Sequence, residues 1–349
     1  MDEVGVMGHE GKPAASVPLT ADETAFAELT RRYRRELHVH CYRMLASFED
    51  AEDLVQETFL RAWQKRETYQ GRAPFRAWLY RIATNACLDF LARHDRRVVE
   101  LSAQGTPSGE DVKVPHVEWL QPFPDRLLEI DTAGQRDADA KVIRRETIEL
   151  AFLVALQYLP PKQRAVLILR DVLEWSAQET ATLLDSSTAS INAALQRARA
   201  TLKRHQPRRD STPVSQALGE DEMHLVKQYA DATERLDTDA LTRLLRDDAR
   251  FSMPPSPNAW VGNRAIVDAI VEGGFGQAPY DDFKCVITSA NRLPAVVNYL
   301  RKPGDTHYHA FMIDVLRIEG GRVAEILAFD LREMLDAFDL PSTISPEAQ

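Results

Sequence analysis

The chain has 349 residues, enough for two or three ordinary domains, and its 44% hydrophobic and 28% charged content is that of a folded globular protein. No apolar run approaches the roughly 20 residues of a membrane span, and Cys41, Cys87 and Cys285 match neither a metal spacing nor a disulfide framework. A membrane protein and a secreted disulfide scaffold are therefore excluded; no metal, cofactor or membrane partner is expected, and a cytoplasmic location is.

The net charge of -10 is unevenly placed. From Asp210 to Gln349 there are 23 acidic and 13 basic residues, which leaves 30 of each in residues 1–209. Within that first part, Ser186 to Arg209 holds six basic residues and no acidic one, and Arg61 to Arg97 holds nine basic and three acidic. Two basic islands followed by an acidic third predict two nucleic-acid modules and one module that avoids nucleic acid.

In chain order, residues 1–20 read as a disordered tail without the basic start and apolar stretch of a secretory signal. Residues 21–100 read as helices throughout, from the helical recurrence of Phe26, Leu29, Tyr33 and Leu37, then Leu54, Val55, Phe59 and Trp63, then Phe75, Trp78, Leu79, Ile82 and Phe90. The stretch FEDAEDLVQETFLRAW is an amphipathic helix with an acidic face. In TYQGRAPFRAWLYRIATNACLDFLARHDRR, the residues Tyr69, Arg72, Arg76, Tyr80, Arg81, Thr84 and Asn85 are available outside the apolar face, while Phe75 and Trp78 are expected in the core. Aromatic and arginine side chains interleaved on a basic surface suit single-stranded DNA, whose bases stack while its phosphates pair.

Residues 101–139, punctuated by Gly105, Pro107, Gly109, Pro115, Pro122, Pro124 and Gly134, read as a linker with one sticky patch at Trp119, Leu120 and Phe123. Residues 140–206 read as a helical unit containing a helix-turn-helix. Ser176 and Glu179 form a capping box, Asp185 to Ser187 form the turn, and the next helix buries Ile191, Leu195, Ala198 and Leu202 on one face. Ser190, Asn192 and Gln196 are placed to reach base edges, and Arg197, Lys203 and Arg204 to reach phosphates. A solvated basic helix in an ordinary bundle shares the spacing; the capped first helix and the acid-free second helix favour DNA.

Residues 207–221 are a second linker. Residues 222–335 read as α+β: two helices over Met223 to Arg246 split near Asp237, a Pro-rich stretch from Phe251 to Trp260, a third helix from Arg264 to Glu272, and four strands after Gly276. Gly320-Gly321 is a hairpin signal. Residues 336–349 are read as a C-terminal tail.

DAEDLVQETFLRAW, FRAWLYRIATNACLDFL, LPPKQRAVLILRDVLEWSAQETATLL and INAALQRARATL, in that order, resemble the group IV, or extracytoplasmic-function, bacterial sigma factors over about residues 21–206. The resemblance implies two all-α sigma domains, regions 2 and 4, and as partners core RNA polymerase, through its β-prime clamp and β flap, and promoter DNA. It implies that Asp53, Gln56 and Glu57 dock on the clamp. It also implies that Tyr69 to Asn85 engages the melted minus-10 element, with Asn85 lining the pocket of a flipped base, and that the helix-turn-helix reads the minus-35 element. The run ASINAAL departs from the GTVKSRL-like run of many members, so the minus-35 contacts are not carried over from them.

Residues 222–333 resemble a SnoaL-like domain, with the cone shape of the nuclear-transport-factor-like fold. The resemblance implies a cis-acting regulator; Trp260, His307, His309 and Asp330 are the candidates to line a pocket for a small ligand, and the lack of a paired carboxylate or nucleophile motif disfavours catalysis. The acidity of this unit fits docking on the basic sigma faces or on polymerase. Two other readings compete: a ligand-responsive helix-turn-helix regulator that does not join polymerase, and a SnoaL-like isomerase or cyclase fused to DNA-binding domains. The acidic helix from Asp50 to Glu57 disfavours the first, which has no use for a clamp-docking surface.

Overall fold

The computed structural model describes residues 23–69, 74–106, 109–128, 148–205 and 219–346. The 1–20 tail, Arg72, residues 129–147 and most of the second linker lie outside the described residues. No helix among the described residues is long and apolar enough to cross a membrane.

The first unit is three helices: α1 (Glu23–Leu45), α2 (Phe48–Gln64) and α3 (Phe75–Arg93). Ser47 starts α2 by accepting the Asp50 N–H at 3.3 Å, one of the orphan donors of a helix start. Phe48, Ala51, Leu54, Val55, Thr58 and Ala62 then recur at helical spacing and are buried.

Residues 99–128 do more than connect. Strands β1 (Val99–Ser102) and β2 (Lys113–His116) pair antiparallel. Beyond them Val117, Leu120, Phe123 and Leu128 are buried to within 3% of full burial. The segment shows no apolar period because it is neither helix nor long strand; its backbone is satisfied by other elements instead. Gln121 alone donates its N–H to the carbonyl of Ala46 and accepts at its carbonyl from the Tyr42 hydroxyl.

The second unit holds α4 (Leu150–Gln157), α5 (Pro161–Leu167, continued by a π turn over Ile168–Val172), α6 (Ala177–Leu183) and α7 (Thr188–His205). The capping box is present: Glu179 N–H donates to Ser176 Oγ at 3.1 Å, and Ser176 N–H to Glu179 Oε2 at 2.7 Å. Ser187 Oγ accepts the Ser190 N–H at 3.2 Å and starts α7.

The C-terminal unit opens with α8 (Glu220–Glu234) and α9 (Thr238–Leu244). There follow β3 (Leu245–Ser252), β4 (Ala259–Val261), α10 (Asn263–Glu272), β5 (Phe283–Ala290), β6 (Leu293–Leu300), β7 (Tyr308–Glu319), β8 (Arg322–Asp330), α11 (Leu335–Phe338) and β9 (Thr343–Ile344). The sheet order is β4-β3-β8-β7-β6-β5, with β9 on β7 and with β3 parallel to β8. The helical reading to Arg246 ran slightly too far, because Leu245 already pairs with Val323. Gly320 and Gly321, at φ 59° and 73°, make the tight β7–β8 turn that such angles require.

One buried cluster runs from α1–α3 through Phe123 and α4–α7 into the C-terminal sheet, where it takes in Ala295, Val297 and Tyr299 of β6. Val296, on the opposite face of the same strand, belongs to a second cluster inside the cone with Phe251, Ile266 and Leu316. Both faces of β6 are therefore buried, which explains its continuous apolar sequence.

Candidate functional site

The outer face of α7 is open. Ser190, Asn192, Gln196, Arg197, Lys203 and Arg204 are all exposed. Ile191, Leu195 and Ala198 are buried and Leu202 half-buried, so the inward face is the one the periodicity predicts. Arg199 is held by Asp171 through two hydrogen bonds of 2.7 and 2.8 Å, which orients α7 against the turn before α6. These acid-free side chains form a cationic surface with donors at its N-terminal end, suited to a DNA groove.

The first unit is only partly open. Arg81 and Asn85 are exposed, and Tyr69 is half-buried against Phe75 and Trp78, with ring centroids 5.6 and 5.3 Å away. Phe75 and Trp78 are themselves half-exposed rather than core, so the aromatic surface is larger than the sequence reading allowed. Two other expectations are corrected. Tyr80 is fully buried: its hydroxyl donates to Glu36 Oε2 at 3.2 Å and its ring packs on Trp175, centroids 5.4 Å apart. Thr84 is fully buried against His40 Nε2 at 2.9 Å, and burial drives the His40 pKa down to about 3, so the ring is neutral. Neither is on the surface, because α3 is covered on two sides, by α1 and by the second unit. Arg76 is half-buried and paired with Glu36 at 2.8 Å.

On α2, Asp53 and Gln56 are exposed and Glu57 is half-buried, bonded to Arg61 at 2.7 Å. Leu60, one turn beyond Gln56, is 58% exposed. It adds an apolar side chain to the exposed polar face of Asp53 and Gln56. Sequence reasoning assigned Leu60 no role, although its place in FLRAW next to the acidic face was the available signal.

The units meet at several points, and the β5–β6 turn is the most deeply buried of the hydrogen-bonded ones. Asn291 and Arg292 both have positive φ, 55° and 60°, as a two-residue hairpin demands. Asn291 is fully buried. Its Oδ1 accepts the Phe123 N–H at 2.8 Å, and its Nδ2 donates to Tyr42 Oη at 2.9 Å and to the Ile148 carbonyl at 2.7 Å. Arg292 N–H donates to Asp125 Oδ1 at 2.7 Å. From the second unit, Arg164, 2% exposed, donates to the Met44 carbonyl near the C-terminal end of α1, where helix carbonyls lack partners. Burial lowers the Arg164 pKa to about 9. At this contact the C-terminal unit meets the sigma helices through a buried hairpin tip: its hydrogen bonds are directional, and composition carries no trace of them.

The pocket residues expected in the cone are also corrected. His307 and His309 are exposed, His307 lying before β7 begins at Tyr308, while Tyr308 and Ala310 are buried, so neither imidazole lines the cone. Asp330 is exposed and paired with Arg332, which holds its carboxyl below the usual range. Trp260 does line the cavity, its ring stacked on Phe251 at 5.5 Å. The charged residue there is Asp314, which sequence reading missed. Its signal was a lone acid on β7 flanked two residues away on each side by Met312 and Leu316. Burial raises its pKa to about 6, partly offset by hydrogen bonds from Asn298 and Tyr229.

Comparison with known proteins agrees with this division. The family model for Sigma-70 region 2 matches residues 29–97, that for Sigma-70, region 4 matches residues 149–202, and that for the SnoaL-like domain matches residues 226–326. The chain is 40% identical over 325 residues to the ECF RNA polymerase sigma factor SigG of Mycobacterium tuberculosis, an alignment covering 91% of this chain and 85% of that protein. It is 29% identical over 183 residues to the ECF RNA polymerase sigma factor SigW of Bacillus subtilis, covering 52% of this chain and 89% of that one. The crystal structure of the M. tuberculosis extracytoplasmic function sigma factor SigJ shares the fold, with a TM-score of 0.57 at 21% identity, over 90% of this chain and 99% of that one.

Proposed function

The chain belongs to the extracytoplasmic-function RNA polymerase sigma factors, and on that premise we propose that its C-terminal domain holds it shut. As a sigma factor it binds core RNA polymerase and directs promoter-specific transcription initiation. The observation that carries the regulatory reading is the Asn291 hairpin tip, bonded at once to the region 2 unit, the linker and the entry to region 4.

The physical argument is one of reach. Elements named minus-35 and minus-10 lie about 25 base pairs apart, roughly 85 Å at 3.4 Å per pair. In the closed chain Tyr80 of α3 touches Trp175, next to the N-cap of α6, at 5.4 Å. The recognition helix α7 has 18 residues, about 27 Å of length. Two DNA surfaces so joined do not span a promoter; they must part first. Parting also uncovers the Trp175 side of the Tyr80 ring, near the exposed Arg81 and Asn85 of the same helix, where captured bases stack and Asn85 lines the pocket of a flipped base. The minus-35 contacts fall to Ser190, Asn192 and Gln196 for bases and to Arg197, Lys203 and Arg204 for phosphates.

Asp53, Gln56 and Glu57, with Leu60, form the clamp-docking surface. That surface is open in the closed chain, so polymerase binding can precede opening and draw on its own free energy to drive it. Transcription initiation asks for no catalytic residue from this chain. A small ligand in the cone is the second part of the reading, carried by the cavity around Asp314.

Run-off transcription with core polymerase tests the proposal on three proteins: the full chain, Asn291→Ala, and a truncation near Asp210. The expected result is promoter-specific transcript from all three, more from the two altered chains. Absence of promoter-specific initiation by all three sinks the sigma reading, and equal activity of the three sinks regulation in cis.

A further inference from the structure

The cone holds a partly open cavity of about 250 Å³ lined largely by aromatic side chains, as small-molecule sites commonly are. Phe251, Trp260, Phe275, Tyr280, Phe283 and Phe311 line it. Among its described lining residues one side chain carries a formal charge, Asp314. The hydrogen bonds to Asp314, from Asn298 Nδ2 at 2.7 Å and Tyr229 Oη at 3.1 Å, both end on Oδ2. Among the described residues Oδ1 accepts no hydrogen bond and no cation pairs with the carboxylate.

We propose that the cone binds a small organic amine, its ammonium paired with Asp314 Oδ1 and its apolar body held among the aromatic rings. The proposal deepens the reading that this cavity holds a ligand and rests on it. A buried carboxylate without a counter-charge costs several kcal/mol, and a cation that enters with it restores the balance. Aromatic faces carry negative potential, so a cavity walled by rings favours a cation and disfavours an anion. A neutral alcohol satisfies Oδ1 but leaves the charge uncompensated.

The groups packed around Asp314 do not compete for this role. Tyr229 on α8 and the Cys285 thiol on β5 are both pushed upward by burial and keep their protons. Cys285 donates its thiol to Asn298 Oδ1 at 3.3 Å, which fixes the amide so that its Nδ2 faces Asp314. Glu234 of α8 accepts the Cys285 backbone N–H at 2.8 Å. Across the sheet, the register neighbour of Asp314 on β8 is Ala328, which is uncharged.

The site is connected to the closed state through β6. Asn298 faces the cavity from that strand, Val297 and Tyr299 beside it belong to the core shared with the sigma helices, and the turn that opens the strand carries Asn291. A ligand that pulls on Asn298 therefore acts on the element that holds the units together.

Titration calorimetry on the full chain tests this with benzylamine and its neutral isostere benzyl alcohol, at about pH 7.5 and about pH 5, and on Asp314→Asn. At the higher pH benzylamine is expected to bind at least tenfold more tightly than benzyl alcohol. That preference falls roughly tenfold at the lower pH, as Asp314 gains a proton while the amine keeps its own. Asp314→Asn abolishes the preference. The pH arm uses the unaltered chain, so the outcome does not depend on the variant folding. Equal binding of the two probes overturns the amine assignment and leaves a ligand in the cone standing. Binding of neither at millimolar concentration overturns both.

Discussion

Asn291 donates its side-chain amide to the hydroxyl of Tyr42 at 2.9 Å, across 249 residues of sequence. Tyr42 is fully buried in α1, and its hydroxyl donates a hydrogen bond to the Gln121 carbonyl at 2.7 Å. Region 2, the linker and the C-terminal domain therefore share one chain of hydrogen bonds, whose members strengthen one another in a buried site.

Asn291→Ala removes three side-chain hydrogen bonds at a buried site and places alanine at a positive φ that asparagine tolerates better. At about 1 kcal/mol for each bond, the closed state loses about 3 kcal/mol, roughly a hundredfold in the closed-to-open ratio. Hydrogen exchange over residues 119–128 is expected to accelerate accordingly. Unchanged protection there means that the hairpin tip is not what holds the linker.

Gly105 sits at φ +70°, and a Cβ there meets Ala265 Cβ at 2.2 Å. Beside it, Gln104 donates to the Ala259 carbonyl at 2.9 Å and accepts from Val261 N–H at 3.0 Å, adding the linker to the edge of β4. Gly105→Ala is expected to undo this pairing at a cost of about 1–3 kcal/mol. Adding Ala265→Gly should restore the part of the loss that is steric. Limited proteolysis between residues 101 and 112 reads both effects.

Arg197→Ala and Gln196→Ala should separate phosphate from base contact. The first weakens duplex binding across all sequences and makes the salt dependence of log K shallower by about 1. The second changes preference at one base position, by roughly 1–3 kcal/mol. The face is exposed in the closed chain, so fluorescence anisotropy on the free protein serves for both. A sequence-specific loss in Arg197→Ala would reverse the two assignments.

Leu60→Asp tests the docking surface on α2. The side chain is 58% exposed, so thermal unfolding should barely move. Affinity for core polymerase is expected to fall at least tenfold, the order of a contact residue at an interface. Unchanged affinity removes Leu60 from that surface.

Asp314 makes a signed prediction for stability against pH. Its folded pKa is raised from 3.8 to about 6, so between those values the folded chain holds a proton that the unfolded chain releases. Stability therefore falls as pH rises through that window, and above it the penalty is complete. Asp314→Asn removes the penalty, at most about 3 kcal/mol for a shift of this size. Urea unfolding of the variant should show greater stability at about pH 7.5 and no gain below about pH 4. A variant less stable at the higher pH means that the ionised carboxylate is itself a stabilising partner there.

Much of the fold was legible in the residues. The capping box of Ser176 and Glu179, the inward face of Ile191, Leu195 and Ala198, and the Gly320-Gly321 turn are local features, set by hydrogen bonds and φ angles within a few residues. The sites were less legible. Tyr80 and Thr84 lie on the polar side of α3 in a helical projection yet are buried, because a second surface covers that side. His307 and His309 read as one strand face, but the strand begins at Tyr308 and both imidazoles look to solvent, and alternation alone does not say where a strand starts or which face looks inward. Asp314 was passed over because one carboxylate in a strand has no spacing to reveal it.

The sequence by itself determined the three units, their order, and the family they belong to, since periodicity, capping and motif order are properties of neighbouring residues. Only the tertiary structure decided that the units are packed together, that Tyr80 and Thr84 of α3 are covered, and that a lone carboxylate sits among aromatic rings. Those facts depend on contacts between residues as distant as Tyr42 and Asn291, and the free energy of such contacts resides in burial and hydrogen-bond geometry that no local pattern encodes.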